Sequence, residues 1–277
     1  QRAVPSSSGL WLAAFAEAFT DSLSYAAAIG DLVDCSPLGT AAGYGVNLPL
    51  DRDGVAADLG FSRLQVNPMY AQNSRGKFEV MVLQAALHAM QDLRRLAWDL
   101  SLFTTSEFSF IKLPPEYITG SSIMPNKFNP DVVELLRGRA ATTEAAILEI
   151  QSVLSLPSGD QRDLQLTKAP LIRGVEASLQ ALRIVPALVE GMEFRPQRMR
   201  EAISADMYAT DIALEQSAAG VPFREAYLQA KQKLDELEAP DADESLAKRV
   251  SPGGCADLLL DRIRVRLEKE KSRISAA

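Results

Sequence analysis

The chain has 277 residues, of which 47% are hydrophobic, so it can bury the core of one large or two smaller domains. Its net charge is −7, from 29 basic and 36 acidic residues, and no basic tract is present. This balance argues against nucleic acid as a partner. No charge-free apolar run reaches transmembrane length, and residues 1–5 do not resemble a signal peptide. The sequence therefore predicts a cytoplasmic protein without a membrane partner.

Cysteine and histidine usage argues against a metal site. Cys35 and Cys255 are far apart and belong to no CxxC pair, so we expect two reduced, structural thiols. The single histidine, His88, has no clustered ligands around it, which argues against zinc. His88 lies beside an apolar stripe and is interpreted as a structural residue.

Apolar residues at helical spacing predict a bundle of four long helices. Aromatic residues make up only 6% of the chain, while alanine and leucine are abundant, which favours closely packed helices. The first helix is predicted at about 9–33, with its cap among residues 6–8. A Gly- and Pro-rich connection follows at 34–67, with a short helical piece inside it. The other long stripes cover residues 78–100, 132–154 and 171–189.

Shorter segments follow the four stripes. Pro186 should kink the fourth long helix about one turn before its end. Beyond it, short helices are predicted at 199–203, 211–219, 223–237, 241–248 and 255–271. This shift predicts an all-α fold with a central helical-bundle domain at 1–193 and a small C-terminal helical domain at 194–277.

Residues 120–130, GSSIMPNKFNP, place hydroxyl groups, a cation and amides in one loop. Pro130 suits a first helical position, and Asp131 and Glu134 favour the positive end of a following helix. Free backbone N–H groups at that helix start would add anion affinity to that of Lys127. The segment is therefore predicted to hold a carboxylate and act on the carbon beside it. A Gly-Ser loop before an ordinary capped helix is the simpler alternative.

The same segment resembles the GSSxMPxKxNP signature of the fumarase/aspartase superfamily, whose members eliminate fumarate from substituted succinates. Within that superfamily the chain is most similar to the argininosuccinate lyase family, and the likeness covers essentially the whole chain. The matching segments are SPLG at 36–39, LPLDR at 48–52, LGF at 59–61, TSEF at 105–108, ELLR at 134–137, LPS at 156–158, DLQ at 163–165 with Lys168, ATD at 209–211 and GVPFREA at 220–226. The last two distinguish this family from fumarase, aspartase and adenylosuccinate lyase.

The resemblance implies cleavage of argininosuccinate to L-arginine and fumarate, without a metal or an organic cofactor. It implies that Ser121 is the catalytic base with Ser122 as its helper, and that Glu134 partners a catalytic histidine. The substrate-binding residues implied in the same way are Lys127, Asn129, Met124, Asn126, Arg52, Gln165 and Lys168. Taken singly, these residues would be solvated, capping or helix-stabilising side chains. The resemblance also implies a homotetramer whose active sites each draw on three chains.

Three departures leave alternatives open. Asp160 stands where the family has tyrosine, which we expect to place a negative charge beside an anionic substrate. Residues 67–77 differ from the family pattern NSxDAxSxRD. The family's T-x-x-H element is not in the chain, whose first residues resemble the family's segment immediately after that histidine. A lyase of another succinyl compound such as adenylosuccinate, or a non-catalytic structural homologue comparable to lens crystallins, therefore remains an alternative.

Overall fold

The computed structural model describes residues 2–276 and is predominantly helical. The α-helices in chain order are α1 (Ser8–Val33), α2 (Arg52–Asp58), α3 (Pro68–Asn73), α4 (Lys77–Phe103), α5 (Asp131–Val153), α6 (Lys168–Glu190), α7 (Pro196–Glu201), α8 (Ala209–Ala218), α9 (Phe223–Gln232), α10 (Ala242–Ala247) and α11 (Leu260–Ala276). The four long helices predicted from the apolar stripes are α1, α4, α5 and α6. The all-α prediction is confirmed.

Helix starts follow local capping chemistry. The Ser7 hydroxyl accepts a hydrogen bond from the backbone N–H of Leu10, so the cap of α1 lies within the predicted 6–8 segment. Pro130 takes the N-cap position of α5, one residue earlier than predicted. The difference arises because its ψ of 55° lies outside the helical region. Asp131 and Glu134 do occupy the first turn of α5.

The core of the bundle lies among α4, α5 and α6. Its fully or almost fully buried side chains include Leu93, Leu96, Leu100, Val133, Leu136, Ala140 and Leu188. A second cluster of Val80, Leu83, Ala146, Ile147 and Ile150 continues the contact between α4 and α5. These residues are the ones that the helical spacing places on one face of each helix.

Two very short antiparallel strand pairs stand beside the bundle. Strand β1 (Ile111–Lys112) pairs with β4 (Glu193–Phe194), and β2 (Thr119–Gly120) pairs with β3 (Phe128–Asn129). Neither pair was predicted, because two residues are too few to show a period of two. The signature loop comprises residues 120–130, and the β2–β3 hairpin encloses residues 121–127 of it.

Helices α4 and α5 run in opposite directions, which gives the bundle two distinct ends. At one end, the loop end, Thr104 after α4 and Pro130 before α5 line the same cavity. At the other, the far end, Gly76 before α4 lies against Leu154 after α5. Helix α5 has 23 residues, so the two ends are separated by about 34 Å along its axis.

The C-terminal helices make two kinds of contact. Helices α8 and α9 share a small core of Ala213, Ala226 and Ala230, whereas α11 returns to pack along α1. Helix α11 begins at Leu260 and not at the predicted 255, because the turn around Gly253 and the left-handed φ of Leu259 interrupt the helix. The domain boundary at 194 remains a prediction. None of the helices among residues 2–276 is both long and apolar enough to cross a bilayer.

Candidate active site

The signature loop folds around the hydroxyl of its first serine. The Ser121 Oγ accepts hydrogen bonds from the backbone N–H groups of Ile123, at 3.3 Å, and Met124, at 3.0 Å. The backbone N–H of Lys127 in turn donates to the carbonyl of Met124 at 3.1 Å. Serine favours such local turns because its hydroxyl satisfies the backbone two and three residues on. The result is a hydroxyl oxygen that already faces two N–H dipoles.

Most of the loop is open to solvent. Ile123 is 86% exposed and Phe128 is 74% exposed, at the upper end of the range for large apolar side chains among residues 2–276. Ser121 is half-buried, and Ser122, Asn126 and the 47%-exposed Met124 are all exposed. The loop is therefore accessible from solvent.

Lys127 supplies an available positive charge on this loop. Its side chain is exposed, and among residues 2–276 no carboxylate lies within ion-pair distance of its ammonium group. Asn129, in β3, is half-buried, and Glu134 is exposed on the first turn of α5, where its N–H donates to the Pro130 carbonyl. The loop end thus brings together seven of the ten candidate residues, which are Ser121, Ser122, Met124, Asn126, Lys127, Asn129 and Glu134.

Arg52 has a bracing position in the connection between α1 and α4. Its guanidinium donates to the backbone carbonyls of Leu38, Gln65 and Val66, at 2.9, 2.8 and 3.0 Å. The Gln65 side-chain amide in turn donates to the hydroxyl of Ser74 at 2.7 Å, which ties the brace to the start of α4. In this chain the guanidinium therefore holds loops together, and it lies at the far end of the bundle.

Gln165 and Lys168 also lie at the far end. Gln165 is exposed on a short 3-10 helix (Arg162–Thr167), and the exposed Lys168 begins α6. The Thr167 hydroxyl donates to the Glu79 carboxylate on the first turn of α4, which fixes this segment against the bundle. The ten candidate residues of one chain thus form two groups, one at the loop end of the bundle and one at the far end.

Asp160 is paired with a cation of its own chain. The Arg75 guanidinium donates to its carboxylate at 2.6 Å, and the Gly159 N–H donates to the Asn73 side chain at 2.8 Å. The negative charge expected beside the substrate is therefore compensated within the chain. Sequence reasoning missed this partner because the two residues are 85 positions apart.

Two further polar residues lie at the base of the signature loop: Thr119, which the sequence analysis did not single out, and Asp131, which it named only as a helix-start residue. The Thr119 hydroxyl donates to the Asp131 carboxylate, which joins the first residue of β2 to the first residue of α5. Their positions directly before and after residues 120–130 were the sequence signal that could have identified this pair. Glu107 lies near the same end. Hydrogen bonds from its own backbone N–H and from the Ser106 hydroxyl lower the pKa of its carboxyl group below the usual range.

A long-helix bundle with a Gly-Ser loop ahead of its third long helix is the architecture of the fumarase/aspartase superfamily. Solved structures show the same fold. An EDDS lyase in complex with formate superimposes with a TM-score of 0.78 at 22% identity, covering 99% of this chain and 63% of that chain. A class II fumarase from Schistosoma mansoni gives a TM-score of 0.65 at 19% identity, over 87% of this chain and 59% of that chain.

Sequence comparison gives the family. A family model described as "Lyase" matches residues 1–143, more than half of the chain, and the chain belongs to this lyase family. An argininosuccinate lyase of Xylella fastidiosa is 57% identical over 267 residues, which cover 96% of this chain and 60% of the relative. The chain thus spans about 60% of the length of the curated relatives it matches.

Proposed function

We propose that this chain is the larger part of an argininosuccinate lyase, which cleaves argininosuccinate to L-arginine and fumarate by β-elimination. The observation that carries the proposal is the Ser121 hydroxyl, which accepts two backbone N–H groups in the loop typical of the superfamily. The 57% identity to a curated argininosuccinate lyase supports this choice of substrate.

Ser121 acts in this proposal as the base. Its alkoxide, formed when the hydroxyl proton passes to solvent, takes the proton from the succinyl carbon beside a carboxylate and leaves a doubly negative aci-carboxylate. The electron pair held there then forms the C=C bond as the C–N bond to the guanidino group breaks. The leaving nitrogen keeps the C–N electron pair and takes up a proton. A serine hydroxyl is a weak base unless its alkoxide is stabilised. The N–H groups of Ile123 and Met124 are already aimed at that oxygen and supply this stabilisation.

Lys127 and Asn129 hold the substrate carboxylate. Charge accumulates on this carboxylate as the proton leaves, so a cation placed there stabilises the transition state more than the ground state. Loss of one such preorganised donor costs roughly 10²–10³ in rate in well-studied enzymes. The exposed ammonium of Lys127, which no carboxylate among residues 2–276 neutralises, suits this role.

The proposed active protein is a homotetramer with composite sites. The two groups of candidate residues lie about 34 Å apart in one chain, too far for one small substrate to touch both. Neighbouring copies would supply the second group. An apolar groove between α1, α4 and α6 supports self-association, because a surface of this kind is normally covered. Its lining includes Phe19, Leu23, Val82, Val175 and Leu179.

The proposed location is the cytoplasm. Cys35 is buried and Cys255 is half-buried, and both are free thiols. Thiols of this kind are usual where disulfides do not persist.

The test is Ser121→Ala in a version extended to the full length of the relatives. We expect kcat for fumarate release to fall by about 10²–10⁴-fold, because a transition-state proton acceptor is lost from an exposed loop. The helical circular dichroism should not change. Ser152→Ala, at an exposed serine on α5, is the matched control and should keep full activity. Near-normal turnover by the Ser121→Ala variant would remove this residue from the mechanism.

A further inference from the structure

We propose that Thr119 and Asp131 form a clasp that fixes the root of the signature loop, and that they are positioning residues for Ser121 and Lys127. The clasp keeps the loop in one conformation, whatever reaction the protein catalyses. Its role in placing Ser121 and Lys127 for catalysis rests on the proposed function.

The clasp connects the two sides of the loop. Thr119 is the first residue of β2 and pairs across the hairpin with Asn129, while Asp131 begins α5 two residues beyond Asn129. The hydroxyl of Thr119 donates to the carboxylate of Asp131. The start of the loop is thereby tied to a long helix whose inner face is packed in the core.

The rest of the hairpin gives little support of its own. Each strand has two residues, and isolated hairpins even of normal length are marginally stable in water. Opposite the exposed Phe128 stands Gly120, which has no side chain to pair with it. Tyr117 and Ile118, just before β2, pack against the core. The clasp adds a side-chain restraint that reaches the other side of the hairpin, and a hydrogen bond to a charged acceptor is stronger than one between neutral groups.

Both ends of the signature loop depend on the clasp between Thr119 and Asp131. Ser121 follows Gly120 directly, and its oxygen receives its N–H donors only while the turn over Ile123 and Met124 is kept. Lys127 precedes β3 directly, so its ammonium is placed by the same hairpin. Without the clasp, the Ser121 hydroxyl and the Lys127 ammonium would both lose their fixed positions. A misplacement of about 1 Å is enough to slow catalysis strongly.

Trypsin provides a direct measurement of the clasp on the chain as it stands. The Lys127–Phe128 bond lies at the first residue of β3, so cleavage there requires the hairpin to open. We expect Thr119→Val to raise the cleavage rate at this bond about tenfold, since it removes the donor and keeps the shape. Thr119→Ser restores the hydroxyl and should return the rate to that of the wild type. Thr210→Val, at an exposed threonine of α8, is the matched control.

Asp131→Ala is the second variant and should reproduce the effect by removing the acceptor. The double variant with Thr119→Val should cleave no faster than the more sensitive single variant, because the two residues act through one bond. Cleavage after the exposed Lys233 serves as an internal reference for general loosening. An unchanged rate at Lys127–Phe128 in both single variants overturns the clasp, as does an increase that the Lys233 site shares.

Catalysis gives the second readout, in the full-length version. We expect Thr119→Val to lower kcat at least tenfold and Thr119→Ser to restore it. If the loop opens but kcat is unchanged, the positioning role is wrong and the clasp is only structural. If the wild type itself releases no fumarate, the proposed function fails, while the trypsin rates still decide the clasp.

Discussion

The pairing of Asp160 with Arg75 changes the meaning of a single-residue departure from the family. The Asp160 carboxylate is compensated by a guanidinium at 2.6 Å, and the side chains of Arg75 and Asp160 are 27% and 57% exposed. Pairs as open as this contribute about 0–1 kcal/mol to stability. Their effect on an anionic ligand can be larger, because removal of the carboxylate leaves the cation free.

We therefore expect Asp160→Tyr to lower KM for the anionic substrate in the full-length protein. The variant uncovers the charge of Arg75 and introduces the family's phenolic hydroxyl. Asp160→Asn separates the two effects, since it changes the charge alone. Asp235→Asn removes another exposed carboxylate, away from this pair, and is the control. Equal KM values for all four proteins would show that Asp160 is remote from the substrate.

The contacts of single residues show which parts of the candidate site the sequence could predict. The turn around Ser121 joins residues two and three positions apart, so local sequence was enough to place it in a polar loop. Arg75 and Asp160 form an ion pair although they are 85 positions apart, and the Arg52 guanidinium donates hydrogen bonds to carbonyls 13 and 14 positions away. Such partners follow from packing, which local patterns do not contain.

Among the helices, the approach of α6 to α4 and α5 depends on Gly174. A Cβ at this position would lie 2.6 Å from Leu83 Cδ2 and 3.1 Å from the Ala146 Cβ. Both neighbours are fully buried, so neither has space to move away. The glycine thus allows close helix packing at a point where most residues would not fit.

Gly174→Ala is expected to destabilise the protein by about 1–2 kcal/mol, measured by urea unfolding. Overpacking costs about 1–3 kcal/mol, and the better helix propensity of alanine returns up to about 1 kcal/mol. Gly138→Ala is the control, because a Cβ there on α5 meets nothing within 4 Å. It should stabilise the protein by about 0.5–1 kcal/mol. Stabilisation by both changes would contradict the close approach.

Periodicity predicted the long helices and the short C-terminal helices α7 to α10, and it missed α3 and the paired strands. The predicted bundle helices differ from α1, α4, α5 and α6 by no more than a few residues at each end, because each has a long apolar stripe facing the core. The paired strands were missed because two residues are too few to show a period, and α3 was missed because it follows directly on the Gly- and Pro-rich connection at 34–67. These short strands nevertheless position the signature loop.

For the whole molecule, we expect the 277-residue chain alone to release no measurable fumarate. Glu134 needs a histidine partner in the proposed mechanism, and the only histidine, His88, lies edge-on to Tyr25 with ring centroids 5.0 Å apart. A missing acid–base partner costs about 10²–10⁴ in rate. Adding the N-terminal segment of a curated relative as a separate chain should restore some turnover. Robust activity without it would make His88→Gln the next variant to test.

The return of α11 to α1 has a consequence for how the protein is made. Arg266 pairs with Glu17 and Asp21, and the Arg266–Glu17 contact spans 249 positions. At a synthesis rate of about 5–20 residues per second, α1 leaves the ribosome about 12–50 s before its partner exists. During that interval its carboxylates, including Asp31, which later binds Arg273, keep that face charged and hydrated. We therefore expect the acidic side chains that hold α11 in the finished fold to keep the nascent helix from premature association.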